Sequence, residues 1–175
     1  MIQTRSLALL ACLAMLAVLA AACGGDGKFA QEAETEKAAV KLVRDTARGG
    51  YDLVSSEQLK EWTDQGKDML VVDTMPFEAS YAKAHIPGAK QFLFPIPDMA
   101  EWSTEQTGGK SKQDFADLLG PDKSRTIVIY CGFVKCTRSH NGAAWAKRLG
   151  YENVYRHPGG IYAWKGLGYP VESVE

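Results

Sequence analysis

Residues 125–140 read RTIVIYCGFVKCTRSH, and a change of pattern halfway through them decides the fold. The first part, up to Tyr130, is a run of β-branched and aromatic residues of strand length, apolar without alternation, as expected of a strand covered on both faces. At Cys131 the run stops. A loop with a second thiol, Cys136, follows, and a helix is predicted from about Arg138 to Leu149. This one stretch thus brings together a strand, a cysteine at its carboxyl end and a helix N-terminus.

The alternation continues outward in both directions. Towards the C-terminus lie a strand, NVYR, and a last helix around IYAWKGLG, where Trp164 follows a Gly pair and is placed to close one end of the sheet. Towards the N-terminus come a helix KQDFADLLG capped by Ser111, a short helix near DMAEW, and a strand AKQFLF. Before these stand a strand DMLVVDT bounded by Pro76, a helix EQLKEWTDQG with a capping box from Ser55 to Gln58, and a strand YDLVSS. Five strands separated by helices predict an α/β fold with a mainly parallel sheet and helices on both faces. Ahead of them residues 29–48 are charged and Ala-rich, with Ala33, Lys37, Val40 and Val43 or Arg44 at helical spacing and a double Gly to stop them. They read as a helix that either packs on the domain or acts as a stalk.

The opening MIQTRSLALLACLAMLAVLAAAC carries Arg5, an uncharged apolar stretch from Leu7 to Ala22, and small residues directly before Cys23. This is the layout of an export signal, and it is short and Ala-rich for a membrane span. LAAAC resembles a bacterial lipobox. That resemblance implies removal of residues 1–22, lipid on Cys23, a GGDG tether, and a protein anchored to the cell envelope and facing the periplasm or the exterior. The expected organisation is a signal over 1–22, the lipidated cysteine, tether and helix over 23–48, and one domain over 49–175. With 20 basic against 21 acidic residues, a formal net charge of −1, nothing suggests nucleic acid as a partner. Of four cysteines, Cys12 leaves with the signal and Cys23 is claimed by lipid. Cys131 and Cys136 alone do not make a disulfide framework, so an ordinary apolar core must hold the fold.

In an open parallel sheet, ligands sit beyond the carboxyl ends of the strands. The strand TIVIY delivers Cys131 there. Backbone N–H groups of a loop made of Gly132, Phe133, Val134, Lys135, Cys136 and Thr137, with the positive end of the helix that Arg138 and Ser139 begin, form a cradle for an anion. The same field favours a thiolate, which marks Cys131 as the candidate nucleophile. Cys136 has two readings, a small loop residue without a role or a resolving thiol that closes a disulfide with Cys131. His85 reads as structural, His140 faces solvent on the first turn of its helix, and His157 approaches the site from the side. Cys131, Cys136 and His140 lack a fourth partner, so no metal is expected. Trp145, Tyr155, Tyr162 and Trp164 read as core and rim packing.

VVDT at 71–74, HIPGA at 85–89, IVIYC followed by RS at 138–139, and GYENVYRHPGGIYAW resemble the single-domain rhodaneses, a sulfurtransferase family, over about residues 50–172. The resemblance implies a three-layer fold with a five-stranded sheet, no cofactor, and transfer of sulfane sulfur from a small anionic donor such as thiosulfate, through a Cys131 persulfide, to cyanide or a thiol. It places Arg138 on the departing sulfite or on the loop, and Lys135 as an attractor of the donor. A plainer reading of Arg138 is an ion pair with buried Asp73. Two departures stand out. Six residues, GFVKCT, separate Cys131 from Arg138, where the family has four and its phosphatase-like members five. Met75 stands where an arginine is common. The wider loop admits a phosphatase or arsenate-reductase-like activity, and a non-turnover sulfur-carrier or redox-sensing module, as competing functions. A Cys136 that releases sulfide would call for a thiol reductant protein as partner.

Overall fold

In the computed structural model, which describes residues 27–174, the five expected strands form one sheet. They are β1 (Asp52–Leu53), β2 (Met69–Asp73), β3 (Lys90–Gln91), β4 (Thr126–Tyr130) and β5 (Val154–His157). Their order is β1-β5-β4-β2-β3, and every pairing is parallel. β4 lies at the centre, in register with β2 from Met69–Thr126 to Asp73–Tyr130. Its residues alternate between two cores, which explains the unbroken apolar run. Ile127 and Ile129 face Leu70, Val72, Phe92, Phe94 and Phe115, whereas Val128 and Tyr130 face Val71, Leu59, Ile161 and Trp164. Each fully buried side chain of this kind contributes about 1.5–3 kcal/mol.

Helices cover both faces. α2 (Ser56–Asp64) and α5 (Gly160–Gly166) supply Leu59, Ile161 and Trp164 to one core, and α3 (Lys112–Leu119) and α4 (Arg138–Arg148) supply Phe115, Leu119, Ala143 and Trp145 to the other. The predicted caps are present: Ser55 Oγ accepts from the Gln58 amide, and Ser111 forms a capping box with Asp114. A single π turn, Phe77–Tyr81, follows β2.

Residues 27–49 are helical (α1), and the second of the two compact units of the structure begins within this helix, at Lys41. The stripe expected through Val40 and Val43 is exposed, and the buried position of the last turns is instead Asp45. The signal, Cys23 and residues 24–26 of the tether fall outside the described residues, and Gly27, the last of the tether, is already helical. One predicted element is absent: DMAEW is irregular with a bend at Ala100 and Glu101, not helix. Pro97 keeps Ile96 out of the helical region, and α4 takes over the backbone oxygens of this segment. Asn141 Nδ2 donates to Pro95 and Pro97 O at 2.9 Å each, Trp145 Nε1 to Met99 O at 3.0 Å, and Arg148 Nη1 to Ala100 O at 2.8 Å.

Candidate active site

The end of β4 is pinned by Thr74, whose amide and hydroxyl both donate to Tyr130 O, at 2.9 and 2.7 Å. The chain then enters the loop, and the start of α5 receives it: Ile161 N donates to Cys131 O and Tyr162 N to Gly132 O, both at 3.0 Å. Gly160 makes this approach feasible. It has φ +58°, and a Cβ there would stand 2.1 Å from Cys131 O. Cys136 N donates to Phe133 O at 3.0 Å, turning the loop back towards α4.

The two thiols lie in contact and differ in environment. Cys131 has no solvent exposure; its Sγ is 3.1 Å from Ser139 Oγ and 3.4 Å from Cys136 O. Burial pushes its thiol well above the ordinary value, and the neighbouring Cys136 adds to the rise while Ser139 opposes it. Cys136 moves the other way, to about 6. The hydrogen bond from the Cys131 thiol is the chief cause; burial opposes it, and the amides of Arg138 and Gly132 with the Arg138 charge reinforce it. Amides reach both sulfurs: those of Gly132 and Arg138 meet Cys136, and that of Ser139 meets the more deeply buried Cys131.

The remaining predicted residues surround this pair. Phe133 and Val134 are exposed, and the Phe133 ring stacks on Tyr162 at 5.6 Å. Lys135 is exposed, Thr137 is buried at the N-cap of α4, and Ser139 is fully buried against Cys131. Arg138 is half-buried and donates to Phe94 O. The ion pair of Arg138 with Asp73 is not formed: Asp73 Oδ1 accepts from the Met75 amide at 2.8 Å and Oδ2 has no partner. Burial raises Asp73 to about 6.

The histidines divide. His85 is structural, with Nδ1 2.9 Å from Tyr81 O and its ring stacked on Tyr81. His140 is buried rather than solvent-facing: Nδ1 meets Tyr51 Oη at 2.8 Å and Nε2 meets Arg48 Nη2 at 3.1 Å. Because Arg48 only donates, the ring proton sits on Nδ1. Burial lowers His140 to about 4, so it is neutral near pH 7. His157 does not reach the thiols; it is held between Val54 O at 3.3 Å and Gly160 O at 3.2 Å.

Arg156 was not anticipated. It is 1% exposed, on β5, and its guanidinium reaches Ser139 Oγ at 2.9 Å, Cys136 O at 2.9 Å and Val134 O at 3.2 Å. The available signal was a charge inside the strand VYRH at an inward position, beside apolar neighbours.

A family model described as Rhodanese-like domain matches residues 55–167. Among curated proteins, Rhodanese-like domain-containing protein 14, chloroplastic, of Arabidopsis thaliana is 26% identical, the match covering 62% of this chain and 59% of the relative. The tRNA uridine(34) hydroxylase of Erwinia tasmaniensis is 46% identical over 46 residues, 26% of this chain and 12% of that protein. The chain thus spans less than two thirds of each of these relatives. Among solved structures, a thiosulfate sulfurtransferase from Pseudomonas aeruginosa superposes with a TM-score of 0.56 at 18% identity, covering 77% of this chain and 23% of the other. A polysulfide-sulfur transferase homodimer from Wolinella succinogenes gives 0.52 at 13%, covering 77% and 85%. At these identities the likeness is one of fold.

Proposed function

This chain belongs to the rhodanese-like family, and on that premise we propose that it is a sulfurtransferase that moves sulfane sulfur from a small anionic donor such as thiosulfate to a thiophilic acceptor, through a persulfide in the loop 131–138. The observation that carries the reading is the convergence of the Cys131 thiol and the Gly132 and Arg138 amides on the Cys136 sulfur. A thiol held at about 6 is largely thiolate at neutral pH, and thiolate is the attacking form. In this reading Cys136 acts first. Its thiolate attacks the outer sulfur of the donor, the S–S bond of thiosulfate breaks, sulfite departs with the bonding pair, and a Cys136 persulfide remains. Cyanide or an external thiol then removes the outer sulfur and restores the thiolate, a ping-pong sequence. Cys131 offers a second exit. Its sulfur attacks the inner sulfur of the persulfide, its proton leaves with the outer one as HS⁻, and a Cys131–Cys136 disulfide forms, to be reduced by a thiol reductant. Chain position alone suggested the opposite order, with Cys131 attacking. The burial of Cys131 and its raised pKa favour Cys136 as the first nucleophile.

Peptide mapping after exposure to thiosulfate or polysulfide tests the assignment. One added sulfur is expected on Cys136, retained in Cys131→Ser and lost in Cys136→Ser. Sulfur found on Cys131, with Cys136→Ser still loading, would restore the first order. Absence of loading and of thiocyanate formation in the unaltered protein would overturn the sulfurtransferase reading. We also infer from residues 1–23 that the protein is exported and held to the cell envelope by lipid on Cys23.

A further inference from the structure

We propose that Arg156 is the positioning residue of the active loop, fixing from beneath the carbonyls that set the direction of the loop's amides and tying them to Asp45 of α1. The inference rests on the loop being the reactive site, and goes beyond that reading by naming the group that shapes it. A guanidinium without solvent exposure is costly unless its donors are satisfied. Arg156 meets that demand chiefly with the loop: Nη2 donates to the carbonyls of Cys136 and Val134, at 2.9 and 3.2 Å. In a planar peptide unit the N–H lies on the edge opposite the carbonyl. Drawing the carbonyls of Val134 and Cys136 down onto Arg156 therefore turns the N–H groups of Lys135 and Thr137 away from it, and the bond to Cys136 O holds that residue where the Gly132 and Arg138 amides meet its sulfur. Nε donates to Ser139 Oγ at 2.9 Å, which leaves the Ser139 hydrogen available to the Cys131 sulfur 3.1 Å away. One side chain thus orders the loop backbone and the hydroxyl that touches the buried thiol.

The far side of the guanidinium is anchored equally well. Nη1 lies 3.5 Å from Asp45 Oδ2 and 3.4 Å from Tyr51 Oη. Asp45 is itself paired with Arg48 at 3.0 Å and with Lys41. His140 bridges Tyr51 and Arg48. Asp45, Arg156, Tyr51, His140 and Arg48 therefore form a closed ring of side chains that joins the end of α1 to β5 and α4. A fork with five donors in one plane can hold two carbonyls and a hydroxyl on one side and an acid on the other; a lysine ammonium cannot.

The test reads the thiol itself. Iodoacetamide alkylation of Cys136 is followed against pH by peptide mapping, with the melting temperature measured on each variant. The groups that face Cys136 are Cys131, Asp73 and the Arg138 charge, and none of them is altered by the substitutions. In Arg156→Met the midpoint of alkylation is expected to rise by about one pH unit or more, roughly fivefold less thiolate at pH 6. Arg156→Lys keeps a charge opposite Asp45 and is expected to hold the melting temperature better than Met while failing to restore the midpoint. Folded Arg156 variants with an unmoved midpoint would overturn the proposal. If neither variant folds, Asp45→Asn and Tyr51→Phe, which loosen the anchored side only, decide it: an upward shift supports the proposal and an unchanged midpoint refutes it. The readout needs no sulfur donor. A shifted midpoint in a protein that loads no sulfur would sink the sulfurtransferase reading and leave the role of Arg156 standing.

Discussion

At neutral pH the carboxylate of Asp73 works against the fold, and replacing it with its amide is expected to stabilise the protein by an amount that depends on pH. Asp73 ends β2 without solvent exposure; the Met75 amide satisfies Oδ1, and Oδ2 has no partner. Burial is the main reason its pKa is carried from 3.8 to about 6, with the Met75 amide opposing the rise. A carboxyl raised in the folded state holds its proton more tightly there than in the unfolded chain. Its favourable contribution is fully present below pH 3.8 and is lost as pH rises through about 6. At roughly 1.36 kcal/mol per pH unit the loss amounts to about 3 kcal/mol at pH 7. Asp73→Asn removes the titration, so the variant should gain on the parent by roughly 2.4 kcal/mol between pH 4 and pH 7. The extra amide hydrogens add an offset, but one that does not change with pH. His140, lowered to about 4, costs stability as pH falls below its ordinary 6.5, and does so in both proteins, so it cancels in the difference. Urea unfolding of both proteins at pH 4, 5, 6 and 7, with reductant present to keep Cys131 and Cys136 as thiols, measures the effect. A difference that is constant across the series, or that shrinks as pH rises, would refute the argument.

Trp164 is fully buried, donates from Nε1 to Pro170 O at 2.7 Å, and packs edge-on against Tyr169. Trp164→Ala should cost about 3–5 kcal/mol in urea unfolding, and an unchanged midpoint would contradict its place in the core. Cys23→Ser should leave the protein unlipidated, read as a change in the mass of the mature N-terminus and loss from the membrane fraction. Unaltered protein recovered with residues 1–22 intact would reject the export inference.

Elements whose formation depends on local periodicity were legible in the sequence. The unbroken apolar runs of β2 and β4 announced strands covered on both sides, and Ser55 and Ser111 marked helix starts that the structure confirms by their hydrogen bonds. The segment around DMAEW was misread because its amphipathic look is shared with helices, while its conformation is set by side chains of α4 that are distant in sequence. The loop was recognisable as a site from Cys131, Cys136 and Arg138. What the spacing could not convey was how the amides divide between the two sulfurs, since this depends on how an enlarged loop folds back on itself. Arg156 escaped for a similar reason. A charge on a strand is ordinarily solvated, and only Asp45, Val134, Cys136 and Ser139, brought together by the topology, make its burial favourable.

The grip of α4 on the segment 95–100 bears on how this protein is free to diverge. Asn141, Trp145 and Arg148 read peptide oxygens, which every amino acid presents alike. Apart from Met99, which enters the core, and the two prolines that shape its path, this stretch can therefore accept substitutions without losing its hold on the helix. The donors have no such latitude, because each is a single side chain serving a fixed backbone atom. Sequence change should accumulate on the segment that is held and be resisted by the residues that hold it. A surface beside the active loop can in this way be reshaped for different partners while its attachment to the domain stays the same.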